Sequence, residues 1–252
     1  MDFKPTQRFS DRVDNYVKFR PSYPSELLKF FTDQLGLTAA SAVADVGSGT
    51  GISAEIFLNH GNTVYGVEPN AKMRAAAEKN LVGYPDFHSV NGSSENTGLP
   101  ADSVDFVIAA QAFHWFEPVA TQKEFKRILK SPGTAALIWN DRRMTGTGFN
   151  VDYEALIAKY GSDYKQVRHN NIDQKQIESF LGAYNEHVIF NYQDLDFDGL
   201  LGRLLSSSYM PQADSEVYPA MKAELQALFD KYQKNGMVRI EYDTRIFHAR
   251  MK

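Results

Sequence analysis

A glycine-rich segment at the end of an apolar stretch most constrains the fold of this chain. Residues 42–51 read A-V-A-D-V-G-S-G-T-G, in which glycine recurs at positions 47, 49 and 51. Glycine lets a backbone turn tightly and approach a ligand closely, because it carries no Cβ atom. The segment therefore predicts a buried parallel strand, a ligand-binding loop and a helix over residues 50–60. The unpaired N–H groups at the start of such a helix suit an anionic group.

The spacing of these glycines distinguishes between two kinds of cofactor loop. The dinucleotide-binding fingerprint G-x-G-x-x-G requires glycine at position 52, where this chain has Ile52. The observed G-x-G-x-G, with an acidic residue two places before its first glycine, resembles the first motif of the class I S-adenosylmethionine (SAM)-dependent methyltransferases. The resemblance implies that this loop holds the methionyl end of SAM through Asp45, Gly47, Ser48, Gly49 and Gly51.

A second acidic residue indicates a nucleoside ligand. Glu68 ends the apolar stretch T-V-Y-G-V-E and follows Asp45 at close to the spacing of roughly 20 residues expected for a ribose-binding carboxylate. One carboxylate can accept hydrogen bonds from both vicinal hydroxyl groups of a ribose. Glu68 is therefore predicted to bind the ribose, and Asn70 to cap a helix over residues 71–80. Pro69 and Met73 are assigned to the same cofactor site.

Two later segments extend the resemblance to the adenine end of the cofactor. The segment G-S-S-E at 92–95 and the apolar run that ends in Q-A-F-H-W-F at 111–116 match the third and fourth family motifs. Q-A-F-H-W-F, together with Y-V-K-F-R-P-S-Y-P at 16–24, is similar to the trans-aconitate methyltransferase-like (type 11) subgroup. The family often has aspartate where Ser93 stands. The resemblance implies contacts with the cofactor from Ser93, Ser94, Glu95 and Gln111.

Aromatic and cationic residues near the predicted ligand edge are candidates for binding the methyl acceptor. His114 either packs as an ordinary hydrogen-bonded side chain or, with Trp115, faces the acceptor and orients or deprotonates it. Arg142 and Arg143 either remain solvated or clamp an acidic acceptor through bidentate hydrogen bonds. Structural packing is equally an alternative for the remaining candidates, which are Tyr16, Arg20, Phe113 and Tyr209.

The alternation of apolar strands and amphipathic helices predicts the fold class. Five β/α steps between residues 41 and 140 indicate a parallel sheet with helices on both faces. In this reading S-P-G-T at 131–134 separates a helix over 119–130 from the fifth strand. Two late strands, with helices between them, resemble the closing hairpin of the family. We expect an α/β, three-layer Rossmann-like sheet of seven mostly parallel strands, with an antiparallel last strand and a small helical cap.

We expect the whole chain, residues 1–252, to form a single class I methyltransferase domain. Its predicted parts are an N-terminal lid with the first helix (1–40), a cofactor-binding core (41–141), helical cap insertions (142–185 and 196–233) and closing strands (186–195 and 237–250).

The composition excludes several classes of protein. A net charge of −4 over 252 residues does not favour a nucleic-acid-binding surface, which is normally basic. The absence of cysteine excludes disulfides and thiolate zinc sites, and the six histidines show no metal-ligand spacing. The N-terminus lacks the apolar core of a signal peptide, and no apolar run reaches the roughly 18 residues that cross a bilayer. We expect a cytoplasmic monomer or homodimer that acts on a small molecule and binds neither nucleic acid nor membrane.

Together these features predict a SAM-dependent methyltransferase that releases S-adenosylhomocysteine. Methyl transfer from a sulfonium is an in-line displacement, so the protein chiefly needs to align the reactants and exclude water. The arginines favour a carboxylated acceptor, the aromatic residues around 113–116 favour a partly apolar one, and O- and C-methylation both stay open. Two alternatives are retained, a non-catalytic protein that binds SAM or S-adenosylhomocysteine and an NAD-dependent oxidoreductase, which Ile52 disfavours.

Overall fold

A seven-stranded sheet lies at the centre of the structure, a computed structural model that describes residues 13–145, 148–164 and 172–252. The strands follow the order β3-β2-β1-β4-β5-β7-β6, and β7 runs antiparallel to both of its neighbours. This confirms the predicted mostly parallel sheet with an antiparallel last strand. In chain order the strands are β1 (Ala42–Val46), β2 (Thr63–Val67), β3 (Phe87–Val90), β4 (Val104–Ala110), β5 (Leu129–Arg142), β6 (Asn185–Leu195) and β7 (Val238–Arg250).

Helices cover both faces of this sheet. Successive residues of β4 point to opposite faces, and both faces are buried, as in a strand enclosed by two helical layers. Ile108 belongs to one core cluster, with Phe31 and Phe57, whereas Ala109 belongs to the other, with Phe125. The described helices are α1 (Val13–Phe19), α2 (Ser25–Leu35), α3 (Ile52–Asn59), α4 (Ala71–Asn80), α5 (Pro118–Ile128), α6 (Gly148–Tyr160), α7 (Gln174–Leu181), α8 (Phe197–Leu205) and α9 (Tyr218–Tyr232).

A third core cluster lies outside these two layers and forms the predicted helical cap. It joins α6, α8 and α9 to the ends of β6 and β7, with Tyr153, Leu200, Leu225 and Tyr242 among its buried members. The cap thus rests on the antiparallel end of the sheet. The division of the chain into the parts given above stays a prediction.

Two local expectations were wrong. Residues 91–103, between β3 and β4, form no helix, so the predicted β/α alternation is interrupted once. The S-P-G-T segment does not separate α5 from β5, because the strand begins at Leu129, directly after the helix. The segment instead forms an irregularity within β5, where the pairing shifts between Val104–Leu129 and Phe106–Thr134. Gly133 there exchanges backbone hydrogen bonds with the last two residues of the chain, which stabilises the bulge.

Residues 13–24, which we call the N-terminal strap, cross from the sheet to the cap. Helix α1 packs against α4 and α8. The end of the strap is fixed to β6, since Gln193 Nε2 donates to the Phe19 carbonyl at 3.0 Å and Asn191 Nδ2 to the Ser22 carbonyl at 2.9 Å. Residues 1–12 of the predicted N-terminal lid lie outside the described residues.

A glycine in α8 sets how closely the strap approaches the cap. A Cβ atom added at Gly202 would lie 2.2 Å from the ring of Phe19. Replacing a helical glycine with alanine normally stabilises a protein by up to about 1 kcal/mol. We expect Gly202→Ala to lower the melting temperature instead and to speed proteolysis of the strap. In a protein that already carries Phe19→Ala, Gly202→Ala should have neither effect. A Gly202→Ala variant that is more stable than the wild type would contradict this packing.

Candidate functional site

Two adjoining cavities open at the carboxyl ends of β1, β2 and β4, where parallel α/β sheets bind their ligands. One is lined by Glu68 and is called the Glu68 cavity; the other is lined by Arg203 and is called the Arg203 cavity. With the solvent space at their mouths included, they measure about 900 Å³ and about 1000 Å³. Their shared wall is formed by residues of the strap, the glycine loop and the end of β4: Tyr16, Gly47, Ala110, Gln111 and Trp115. A ligand that fills one cavity therefore lies directly beside a ligand in the other.

The glycine loop forms the floor between the cavities. Gly47, Gly49 and Gly51 all adopt positive φ angles, of 72°, 56° and 88°, which other residues rarely adopt. Gly47 and Gly49 line the Glu68 cavity, and Ser48 lines the Arg203 cavity. Gly51 lines neither cavity. It caps α3 and would place a Cβ atom 2.6 Å from Leu81, so the structure gives this predicted cofactor residue a packing role.

Glu68 connects the end of β2 to this loop. Its two carboxylate oxygens accept hydrogen bonds from the backbone N–H groups of Gly49 at 3.0 Å and Asn70 at 2.8 Å. The side chain is largely buried at the cavity wall, and this burial raises the pKa of Glu68. Each oxygen keeps a second lone pair, so the carboxylate can also accept from ligand hydroxyl groups.

Asp45 lies behind the loop and is fully buried. Its Oδ2 atom accepts a hydrogen bond from Ser53 Oγ at 2.6 Å, while Oδ1 has no partner among the described residues. Burial raises the pKa of Asp45 to about 7, and the charge of Glu68 acts in the same direction against the hydrogen bond from Ser53. Asp45 lines neither cavity, so it would act on a ligand from behind the loop. A buried carboxylate is costly, and a cationic group on the other side of the loop would stabilise its charge.

The far wall of the Glu68 cavity combines apolar and polar residues. Met73, Pro69 and Phe116 supply apolar surface, and Ser93 lies on the same wall. Ser94 donates to Glu95 at 2.9 Å and accepts from Thr121 at 3.0 Å. Burial acts to raise the pKa of Glu95, but the hydrogen bonds from Ser93 and backbone N–H groups outweigh it and lower this pKa. An apolar slot with a polar edge of this kind fits a purine.

The residues after β4 divide between the cavity and the core. His114 and Trp115 line the Arg203 cavity, and their rings lie 4.8 Å apart. Phe113 does not reach the cavity, because it packs in the core 4.5 Å from the ring of Phe180 and is 3% exposed. Its predicted contact with the acceptor is therefore corrected to a packing role. Gln111 lines both cavities with φ at 56°, a strained conformation often found at binding sites.

The predicted arginines also differ from one another. Arg142 lines the Arg203 cavity, but its Nε and Nη2 atoms donate to Glu154 at 2.9 and 2.6 Å, and Nη2 donates to the Tyr164 hydroxyl at 3.0 Å. Its charge is thus already neutralised. Arg143 pairs with Asp243 at 3.3 Å outside the cavity, so it does not take part in the acceptor clamp considered above.

Comparisons with known proteins indicate a methyltransferase domain. Residues 44–137 match the model of a methyltransferase domain family. An uncharacterised methyltransferase-like protein of Schizosaccharomyces pombe is 26% identical over 249 residues, which cover 96% of this chain and 94% of that protein. The chain is thus similar to the class I methyltransferases. An uncharacterised methyltransferase of Mycobacterium tuberculosis is 35% identical over 134 residues, about half of each chain (53% and 52%). Membership of the trans-aconitate methyltransferase-like subgroup stays a prediction.

Solved structures show the same fold as this chain. A provisionally assigned methyltransferase from an antibiotic biosynthesis pathway of Anabaena variabilis has a TM-score of 0.65 and 22% identity, and the match covers 93% of this chain and 99% of that chain. A provisionally assigned type II methyltransferase of Anaeromyxobacter dehalogenans has a TM-score of 0.64 and 19% identity, covering 92% and 98%. Within the described part of the chain, we find no helix with the length and apolar character that crossing a membrane demands.

One residue of the second cavity was not predicted from the sequence. Arg203, on α8, is 4% exposed and gives the Arg203 cavity its name. A signal was present, since Leu200 and Leu204 lie three residues before and one residue after it and form an apolar helical face. An arginine on the buried face of a helix is rare without a partner, so this position could have been marked as a candidate.

Proposed function

We propose that this methyltransferase transfers a methyl group from SAM to an oxygen or carbon atom of a small acceptor that carries a carboxylate. The observation that carries the proposal is the contiguity of the two cavities, which share the wall formed by Gly47, Gln111 and Trp115. Direct displacement needs the methyl donor and acceptor in contact, aligned and shielded from water. Two cavities that share one wall meet this requirement.

The residues of the Glu68 cavity fit SAM. Glu68 would accept from the ribose hydroxyl groups, and the slot between Met73 and Phe116 would hold adenine beside Ser94. The unpartnered Oδ1 atom of Asp45 behind the glycine loop suits the ammonium group of the methionyl end. When bound, SAM supplies the activated methyl group and the leaving group, so the protein's own residues bind, orient and exclude water.

The Arg203 cavity is the proposed acceptor site. His114 and Trp115 would form the acceptor wall, and His114 would orient the acceptor or take its proton where the acceptor is a hydroxyl group. The strap covers the site through Tyr16 and Arg20, which limits it to small molecules. We propose that the enzyme acts in the cytoplasm as a monomer or homodimer and does not bind nucleic acid, in keeping with its net charge of −4.

Calorimetry with the purified chain tests the cofactor. We expect S-adenosylhomocysteine to bind and NADH not to bind. A preference for NADH would instead favour the oxidoreductase alternative.

Methyl transfer from isotopically labelled SAM tests the reaction. With a panel of small carboxylic acids and their matched amides, we expect label to move to acids and not to amides. Tight S-adenosylhomocysteine binding with no transfer to any acid would favour a non-catalytic binding protein.

A further inference from the structure

Arg203 is a buried cation whose charge has no carboxylate partner among the described residues. It is 4% exposed, and its side chain donates two long hydrogen bonds to described residues, from Nη1 to Ser206 Oγ at 3.4 Å and to Ser207 Oγ at 3.3 Å. Its Nε atom is buried without an acceptor. A buried guanidinium that is so poorly satisfied costs stability, and a protein retains such a group where a ligand completes it.

A second arginine meets Arg203 at the same serine. Arg20, in the strap, donates from Nη2 to the backbone carbonyl of Ser206 at 3.1 Å, and its Nε atom is also buried without an acceptor. The other face of its guanidinium lies 4.7 Å from the ring of Tyr16. No carboxylate within the described ranges forms an ion pair with Arg20. Two guanidinium groups thus converge on Ser206 in one cavity, one from the strap and one from the cap.

The positive charges of Arg20 and Arg203 shift the pKa values of groups around them. Burial and the charge of Arg203 lower the pKa of Arg20. Burial acts to raise the pKa of Tyr209 on the same cavity wall, but Arg142, Arg20 and Arg203 outweigh it, so that this pKa is lowered. Arg142 differs from the pair because Glu154 already neutralises it. The excess positive charge of the cavity therefore belongs to Arg20 and Arg203.

We infer that Arg20 and Arg203 together bind a carboxylate group of the methyl acceptor. This inference rests on the proposed function and names the residues that select the acceptor. A carboxylate between two guanidinium forks would receive charge-assisted hydrogen bonds and would satisfy both Nε atoms. Because Arg20 belongs to the strap and Arg203 to α8, the bound carboxylate also joins the strap to the cap above the acceptor.

The amino-acid end of SAM carries a carboxylate too, and a competition experiment separates the two sources. Acetate serves as the probe, because so small a carboxylate enters the cavity whatever the shape of the true acceptor. The protein is first saturated with S-adenosylhomocysteine, and its melting temperature is then followed as acetate is added. Acetamide, a neutral molecule of the same shape, and potassium chloride at matched ionic strength are the controls.

We expect acetate to raise the melting temperature of the S-adenosylhomocysteine complex in a saturable way by about 2–4 °C, and acetamide and chloride to have no such effect. Arg203→Met and Arg20→Met should each abolish the acetate response. Arg143→Met is the matched control, since it removes the same charge from a half-buried arginine outside the cavity and should leave the response intact. Arg203→Met should also leave the ligand-free protein as stable as the wild type or more stable, because it removes an uncompensated buried charge.

Three results would overturn the inference. An acetate response that appears only without S-adenosylhomocysteine, and disappears when it binds, would assign the arginines to the carboxylate of the cofactor. An equal response to acetate and chloride, or a response unchanged in both arginine variants, would show that the arginines form no carboxylate site.

Should Arg203→Met fail to fold, Arg20→Met in the partly exposed strap still tests the inference. Failure of S-adenosylhomocysteine to bind the wild type would count against the proposed function instead and is measured separately.

Discussion

Replacing Glu68 with alanine is expected to weaken S-adenosylhomocysteine binding about 5- to 150-fold, equivalent to about 1–3 kcal/mol. Two losses combine in this variant. The ribose hydroxyl groups would lose a charged acceptor, and the backbone N–H groups of Gly49 and Asn70 would lose the carboxylate that now holds them at 3.0 and 2.8 Å. The second loss loosens the glycine loop, so the cofactor would bind a less ordered site. Calorimetric titration of wild type and variant measures the difference.

A glutamate on the next helix provides the matched control for this experiment. Glu78 is exposed on α4, accepts a hydrogen bond from Ser89 at 2.6 Å and lines neither cavity. Glu78→Ala removes the same charge nearby and should leave the dissociation constant unchanged. If Glu68→Ala is folded by circular dichroism and also binds with the wild-type affinity, Glu68 does not belong to the cofactor site.

The geometry of the glycine loop and Glu68 could be predicted from sequence because its signals are local. The positive φ angles at Gly47 and Gly49 follow from the glycines themselves, and Glu68 follows from the end of an adjacent strand. Parallel pairing of β1 with β2 then brings the loop and this carboxylate together. The distance between the two motifs in the sequence therefore predicts that the loop and Glu68 are in contact, and the structure places them in contact.

The Arg203 cavity could not be predicted in the same way, because it depends on contacts between distant segments. The apolar helical face around Arg203 marks it as a candidate, but only the folded chain places Glu154 against Arg142 and leaves Arg203 without a carboxylate among the described residues. Phe113 and His114 are neighbours in one short 3₁₀ helix, yet one packs under the sheet edge and the other faces the cavity. Apolar character alone does not distinguish these two environments.

The stability of the ligand-free protein is expected to fall as pH rises from about 4 to about 7, owing to Asp45. Burial, with the charge of Glu68, raises the pKa of Asp45 from 3.8 to about 7 in the folded state. Within this window the folded protein holds a proton that the unfolded chain has released, so raising the pH favours unfolding. A shift of this size corresponds to about 4 kcal/mol at 1.36 kcal/mol per unit. The raised pKa of Glu68 acts in the same direction.

Asp45→Asn should remove most of this pH dependence and separate stability from binding. Asparagine can still accept the hydrogen bond from Ser53, but it avoids an uncompensated buried charge. At pH 8 the free energy of unfolding of the ligand-free variant should therefore be several kcal/mol higher than that of the wild type.

The variant should bind S-adenosylhomocysteine more weakly, because an amide no longer attracts the ammonium group of the cofactor. Denaturant unfolding at pH 5 and pH 8 and calorimetric titration measure the two effects, with the exposed Asp86→Asn as the control. If wild type and Asp45→Asn lost equal stability between pH 5 and pH 8, the Asp45 carboxylate would not be the titrating group. The buried charge of Asp45 would then no longer support a cationic ligand at the loop.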